Sequence, residues 1–234
     1  MTGTIDKFYP DLLFELYQML MYDCSAICSS LLSLLFWLAE FRLQRVRALG
    51  FNAIQYYIPW NFHEIREGEY DFSDWRNFTE FSRLAYDLGM YSLVRVGPYV
   101  CAEWENGGLP WWLLKKNITK MRTSEEGFKE AVKKWFSVLL PKIEPLLRQH
   151  GGPVLMIQVE NEYGSYDACD RFREYTAWLR DLFLEYLGDE TVLYTTDGGS
   201  ISYLKCGAIP ETLTTVDFGP TSEKNINASF EAQR

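Results

Sequence analysis

Residues 154–164 read Val-Leu-Met-Ile-Gln-Val-Glu-Asn-Glu-Tyr-Gly, an apolar run that ends in Glu160 and Glu162 on either side of Asn161. The apolar run is typical of a buried strand. Strand alternation would send Glu160 and Glu162 to one side and Asn161 to the other, unless the strand end twists. A carboxylic acid beside aromatic rings can have a raised pKa and hold a proton for a leaving group. The segment therefore predicts general acid or base chemistry.

A second segment, residues 97–105, combines acids and aromatic rings in the same way, reading Gly-Pro-Tyr-Val-Cys-Ala-Glu-Trp-Glu. Carboxylates at strand ends often only cap the next helix or pair with an arginine, such as Arg95 here. Two such segments are harder to explain in that way. Tyr57, Trp60 and Trp104 add flat apolar faces of the kind that pack against the C–H face of a sugar ring. Carboxylates with aromatic rings and no phosphate-binding motif favour a carbohydrate as the ligand.

The elements that would position these residues follow a repeated strand and helix pattern from Glu40 onward. Such a pattern predicts an α/β fold with a parallel sheet, and polar or aromatic residues follow directly after the strands. The active site of a (β/α)8 barrel occupies that end of the strands. A doubly wound sheet would normally carry a glycine-rich phosphate turn, which is absent, so the barrel is favoured. The predicted strands are 52–60, 91–100, 154–160, 191–196 and 213–218, and the predicted helices are 41–49, 75–88, 125–140 and 170–186.

Composition excludes several classes of function. The 234 residues include 23 basic and 32 acidic side chains, a formal net charge of −9, and no Lys/Arg cluster. Nucleic acid is therefore not expected as a partner. There are only two histidines, and the five cysteines show no paired spacing with other metal ligands nearby. We therefore expect no metal site, and no cofactor is predicted.

Four runs resemble, in order, the signature runs of lysosomal-type β-galactosidases of glycoside hydrolase family 35. These runs are residues 57–64, 95–104, 107–110 and 158–166. The similarity continues at 195–198, 204–207 and 214–219, so the resemblance covers about 41–234. It implies a retaining exo-glycosidase on a (β/α)8 barrel, which removes terminal β-linked galactose from glycans or glycolipids.

The resemblance also implies roles for individual residues. Glu162, preceded by Asn161, would be the general acid/base at the end of the family's strand 4. Glu160 would be structural despite its similar position. The residues implied to hold the galactose hydroxyls are Tyr57, Ala102 (through its backbone), Glu103 and Asn161.

The family's second carboxylate has no counterpart in this sequence. A retaining mechanism requires a nucleophile about 5 Å from the acid. In the family it is a glutamate at the end of strand 7, in a run resembling Asn-Ser-Glu-Phe, and no such run occurs here. Only strands 2 to 6 of eight are recognisable, so we expect an incomplete TIM (β/α)8 barrel with impaired hydrolysis. The alternative is a non-catalytic galactose-binding fragment or pseudoenzyme.

Residues 1–40 form an apolar extension that does not match the family, and residues 41–234 form the partial hydrolase domain. Asp23 is the only charge between Leu16 and Ala39. The uncharged stretch from Cys24 to Ala39 is shorter than the roughly 20 residues that span a bilayer. The extension is thus a candidate for a degenerate signal or anchor, with membrane contact through 16–39, or for a non-native or buried segment.

The compartment is predicted from sequons and from the family. Asn77, Asn117 and Asn227 each begin an N-x-[ST] glycosylation sequon. Together with a family that resides in lysosomes or outside the cell, they favour the secretory route. The resemblance further implies a disulfide between Cys169 and Cys206, which an oxidising compartment would preserve.

Overall fold

A computed structural model describes residues 32–166 and 173–233 of the protein. Its described strands form one parallel sheet in which the order in space is the order in the chain. The strands are β1 (Ala53–Tyr57), β2 (Tyr91–Arg95), β3 (Val154–Gln158), β4 (Leu193–Gly198) and β5 (Leu213–Asp217). The helices are α1 (Leu32–Ala48), α2 (Trp60–His63), α3 (Phe78–Asp87), α4 (Glu126–Ile143), α5 (Arg173–Leu187), α6 (Ile201–Gly207) and α7 (Glu223–Gln233).

The register keeps the carboxyl ends of neighbouring strands level with one another. Tyr57 at the end of β1 pairs with Arg95 at the end of β2, which pairs in turn with Gln158 at the end of β3. Consecutive parallel neighbours with helical crossovers are the arrangement of a barrel wall, since a doubly wound sheet reverses its strand order partway. The loops that follow the strands therefore meet at one rim.

All five predicted strands are present, each within or close to its predicted range. The centre of the sheet is apolar, since Val94 and Ile157 are 1% and 0% exposed and belong to the main hydrophobic core. Strand β5 is less buried than the other four strands. Leu213 is 49% exposed, and the residues after it in β5 are only partly buried or exposed.

The helices pack on the outer face of the sheet through a mainly aromatic core. Trp135 and Phe136 of α4 are fully buried. Phe136 meets Phe183 of α5 edge-on, with ring centroids 4.7 Å apart. Burial of rings of this size contributes much of the favourable free energy of folding, so this contact helps to hold α4 and α5 together.

Four helical features differ from the sequence prediction. Helix α1 begins at Leu32 rather than at residue 41, so it crosses the expected boundary at Glu40. Helices α2, α6 and α7 are absent from the sequence prediction, because each is short or polar. Ser200 caps α6 by accepting a hydrogen bond from the backbone N–H of Tyr203 at 3.3 Å, which satisfies one of the free donors of its first turn.

Most of the apolar stretch at 16–39 lies outside the described residues, as do Cys24 and Cys28. Among the helices that the structure describes, none is both long and apolar enough to cross a bilayer.

Candidate active site

The turn after β3 carries both glutamates predicted from the sequence. The backbone of Glu160 and of Glu162 is left-handed, with φ of 60° and 45°. Residues other than glycine adopt this conformation at a cost of about 1–3 kcal/mol, and such residues cluster at functional sites. The reversal also breaks strand alternation, which is why Glu160 is 2% exposed whereas Glu162 is half-buried. We call residues 160–164 the acid turn.

Glu160 is held in a buried ion pair and is not free for chemistry. Its Oε2 accepts hydrogen bonds from Arg122 Nη2 at 2.7 Å and from Arg122 Nε at 3.1 Å. Its Oε1 accepts from the Tyr175 hydroxyl at 2.9 Å. Its Oε2 also accepts from the backbone N–H of Asn161 at 3.0 Å. These contacts give Glu160 a structural role, with Arg122 and not Arg95 as its partner.

Asn161 is oriented by two buried donors. Its Oδ1 accepts hydrogen bonds from Arg95 Nη2 and from Gln158 Nε2, the latter at 3.0 Å. With Oδ1 occupied in this way, the Nδ2 group faces Glu162, whose Oε2 lies 3.5 Å away. The amide is therefore fixed in the one orientation that presents a donor beside the carboxylate.

Tyr57 joins the same cluster from the end of β1. The guanidinium of Arg95 lies 4.4 Å from the centre of its ring, and the ring packs against Val100 and Ala102. Burial raises the pKa of the Tyr57 hydroxyl to about 12, which outweighs the opposing effect of Arg95. The hydroxyl is thus protonated at physiological pH, the form that can donate a hydrogen bond.

The loop after β2 presents Ala102 and Glu103 through a strained turn. Cys101, Ala102 and Glu103 are successive left-handed residues, with φ of 58°, 59° and 43°. Trp104 donates from its backbone N–H to Cys101 O at 2.9 Å, which closes the turn. Glu103 is exposed, whereas Ala102 is buried. The strain is retained where the turn adjoins Tyr57, as expected of a binding loop.

Close packing below this loop fixes its path. A methyl group at Gly107 would come within 2.0 Å of Cε2 of Tyr99, so only glycine fits there. The Trp104 indole N–H donates to Asn61 Oδ1 at 2.7 Å. That bond connects the loop after β2 to helix α2, which follows β1.

One aromatic residue expected to face a sugar does not do so. Trp60 is fully buried, stacked on Trp135 and edge-on to Trp112. It opens α2 directly after β1 and points into the helix and sheet core, where apolar contacts are most favourable. Trp104, by contrast, is partly buried against the cluster of Tyr57, Val100 and Ala102.

The predicted residues form one contiguous set at the rim. Contacts run from Ala102 to Tyr57, through Arg95 to Asn161, and on to Glu162. Glu103 follows Ala102 directly in the turn. We call Tyr57, Ala102, Glu103, Asn161 and Glu162 the predicted sugar site. Within residues 32–166 and 173–233, no group of three or more His, Cys, Asp and Glu side chains is arranged to hold a metal ion.

Residues 37–234 match the family model described as Glycosyl hydrolases family 35. The chain belongs to this family. It is 52% identical to the beta-galactosidase of Homo sapiens over 193 residues, which are 82% of this chain and 28% of that protein. It is 47% identical to the beta-galactosidase-1-like protein of Mus musculus, over 82% of this chain and 29% of that one. The family 35 chain thus spans less than a third of the length of these curated relatives.

Solved structures share the fold at low identity. A GH5-4 broad specificity endoglucanase from an uncultured bacterium matches with a TM-score of 0.59 and 14% identity, over 82% of this chain and 62% of that one. An exo-beta-1,4-mannosidase from Opitutaceae bacterium strain TAV5 matches with a TM-score of 0.55 and 19% identity, over 70% and 28%. With the parallel sheet, these likenesses confirm the prediction of an α/β, incomplete (β/α)8 barrel.

The predicted disulfide and glycosylation residues of the family 35 chain lie in different parts of the fold. Cys206 is buried near the end of α6, and Cys169 lies outside the described residues. Asn117 and Asn227 are exposed. Asn77 caps helix α3 by accepting a hydrogen bond from the backbone N–H of Glu80 at 3.1 Å.

The sequence alone did not indicate the role of Arg122 or the contacts of Arg95 with Asn161 and Tyr57. Arg122 lies in an irregular loop, 38 residues before its partner Glu160, and no periodic pattern connects the two. The sequence suggests Arg95 only as a partner for a carboxylate, whereas in the structure it contacts Asn161 and Tyr57. The available signal was its place at a strand end, on the same rim as the predicted acid.

Proposed function

We propose that the chain carries the acid/base half of a retaining β-galactosidase active site that acts on terminal β-linked galactose. The observation that supports this most is the unbroken set of contacts from Tyr57 through Arg95 and Asn161 to Glu162. A half-buried carboxyl group beside oriented hydrogen-bond donors suits proton transfer to a glycosidic oxygen.

In this proposal Glu162 gives its proton to the departing aglycone and later takes one from the attacking water. Asn161 Nδ2 and the Tyr57 hydroxyl donate to the galactose hydroxyls. Glu103, which is exposed, accepts from them, and the strained turn presents the backbone of Ala102. Galactose-terminated glycans or glycolipids are the proposed substrates.

The covalent step needs a second carboxylate opposite Glu162. The 234 residues contain no run resembling Asn-Ser-Glu-Phe. We therefore expect a polypeptide of these residues to hydrolyse an aryl β-galactoside far more slowly than a relative that carries the run. The same fact favours a second candidate function, galactose binding without turnover.

Calorimetry with galactose, combined with an aryl β-galactoside assay on the same preparation, tests both functions. Binding with slow turnover supports the first function, and binding without turnover supports the second. Glu162→Gln should remove any turnover. Glu190→Gln serves as a matched control, because Glu190 is exposed between α5 and β4, away from the rim. Absence of galactose binding by the wild-type chain would refute both functions.

The secretory route belongs to the same proposal, with residence in the lysosome or outside the cell. Cys169 and Cys206 would form a disulfide worth a few kcal/mol in the loop-entropy model. Residues 1–40 would be an extension before the hydrolase domain, with membrane contact through 16–39. Mass spectrometry of unreduced peptides tests the disulfide, and an intact, unbridged Cys206 peptide would contradict it.

A further inference from the structure

Asp197, near the end of β4, is a buried carboxylate outside the predicted sugar site. It is 1% exposed. Its Oδ1 accepts a hydrogen bond from the backbone N–H of Gly164 at 2.7 Å. Its Oδ2 is buried and has no hydrogen-bond partner among the described residues. A buried carboxylate with one oxygen unpaired is costly, so its retention calls for an explanation.

The acid turn is attached to β4 at two points on either side of Tyr163. The backbone N–H of Glu162 donates to Thr196 O at 2.9 Å, and that of Gly164 donates to the side chain of Asp197. Glu162 lies in the left-handed region, which only its surroundings can enforce. Of these two hydrogen bonds, the one to Asp197 is made to a side chain and the one to Thr196 is made to the backbone.

The carboxylate is also enclosed by two glycines. A methyl group at Gly207 would come within 2.0 Å of Asp197 Oδ1, and one at Gly164 within 2.8 Å of it. A methyl group at Gly164 would also come within 2.1 Å of Tyr203 O in α6. The acid turn, Asp197 and helix α6 therefore pack together without space for another side chain.

We infer that Asp197 is a positioning residue, which locks the acid turn against α6 and so holds Glu162 in place at the rim. The catalytic meaning of this role rests on the proposed function of Glu162. The anchoring itself does not.

The charges around Asp197 make its ionisation observable. Burial raises the pKa of Asp197 to about 7, the Gly164 hydrogen bond lowers it, Glu162 and Glu160 raise it, and Arg122 lowers it. Helix α6 adds Lys205 and strand β5 adds Asp217, both exposed. As Asp197 ionises, the bond that it accepts from Gly164 becomes charge-assisted and stronger.

Backbone NMR of the full chain tests the anchoring. In the wild type, the Gly164 amide proton should shift with a midpoint near pH 7. Asp197→Asn keeps an acceptor oxygen and should keep the amide protected from exchange while abolishing the shift. Asp197→Ala should raise Gly164 exchange at least about ten-fold, the loss of roughly one hydrogen bond. Thr195→Val, at a buried hydroxyl of the same strand, is the control and should change neither.

The inference is overturned if Gly164 in Asp197→Ala stays as protected from exchange as in the wild type. A galactose titration of the same variants tests the link to the sugar site. Asp197→Ala should raise the Kd for galactose about ten-fold, which corresponds to the loss of one hydrogen bond, and Asp197→Asn should keep the wild-type Kd. Equal affinities in wild type and Asp197→Ala would sever that link. If the wild type binds no galactose, the proposed function fails, and the exchange data alone decide the anchoring.

Discussion

Replacement of Arg122 by methionine tests whether the buried ion pair holds the acid turn. Methionine keeps much of the apolar stem but removes the charge, which leaves Glu160 buried without its partner. The side chains of Arg122 and Glu160 are 10% and 1% exposed. Removing one partner of such a pair typically costs about 3–5 kcal/mol. The variant also loses the 2.7 Å bond from Arg122 to the Asn161 carbonyl, so the expected cost lies toward the upper end.

Urea unfolding of four proteins measures this cost: the wild type, Arg122→Met, Glu160→Gln and the double variant. We expect the free energy of unfolding of Arg122→Met to fall by about 3–5 kcal/mol. The double variant should be more stable than the sum of the single changes predicts, by at least about 1 kcal/mol, because no unpaired charge remains. Lys116→Met is the control. It breaks a 2.6 Å pair with Glu67 whose side chains are 31% and 49% exposed, which should cost no more than about 1 kcal/mol.

Two results would refute this reasoning. One is an Arg122→Met variant no less stable than the Lys116→Met control. The other is strict additivity in the double-variant cycle, which would mean that Arg122 and Glu160 do not stabilise each other.

Three further predictions concern packing, pH and modification. Gly107→Ala should lower the free energy of unfolding by more than about 2 kcal/mol, because the methyl group meets the Tyr99 ring and the backbone φ is 56°. Gly68→Ala, at a φ of 80° with open space around it, should lower it by only about 1 kcal/mol. Equal costs in urea unfolding would contradict the steric argument. Burial lowers the pKa of His63 from 6.5 to about 4, so the free energy of unfolding should fall by up to roughly 3 kcal/mol as the pH falls from 6.5 to 4. His63→Phe should flatten that part of the plot of stability against pH. An unchanged slope would count against the buried neutral imidazole. When the chain is secreted from a eukaryotic cell, Asn117→Gln should remove one glycan that endoglycosidase treatment detects, because Asn117 is exposed; no change in mass would mean that this sequon is not used.

The sheet could be predicted from sequence because its strands are short apolar runs between amphipathic helical stretches. The runs 154–160 and 91–100 both contain observed strands, shorter at their carboxyl ends. The rim residues followed from the same pattern, since parallel strands present their carboxyl ends at one edge. The similarity to known signature runs then pointed to Glu162 and Asn161 among the rim residues.

The orientations of the side chains and their contact partners could not be predicted in the same way. The left-handed backbone at Glu160 and Glu162 is imposed by contacts with β4 and with Arg122, which lie far away in sequence. Trp60 was expected at a sugar surface, but its place beside Trp135 depends on how α4 packs on the sheet. Long-range packing decides such cases, and local sequence carries no signal for it.

The central claim is that Glu162 shares one sugar site with Tyr57, Glu103 and Asn161. A crystal structure of the chain with galactose bound tests it most directly. We expect galactose at this rim, with its hydroxyls bonded to Tyr57, Glu103 and Asn161 and its anomeric oxygen within about 2.6–3.2 Å of the Glu162 carboxylate. Galactose bound elsewhere on the chain, or Glu162 turned away from the anomeric carbon, would contradict it.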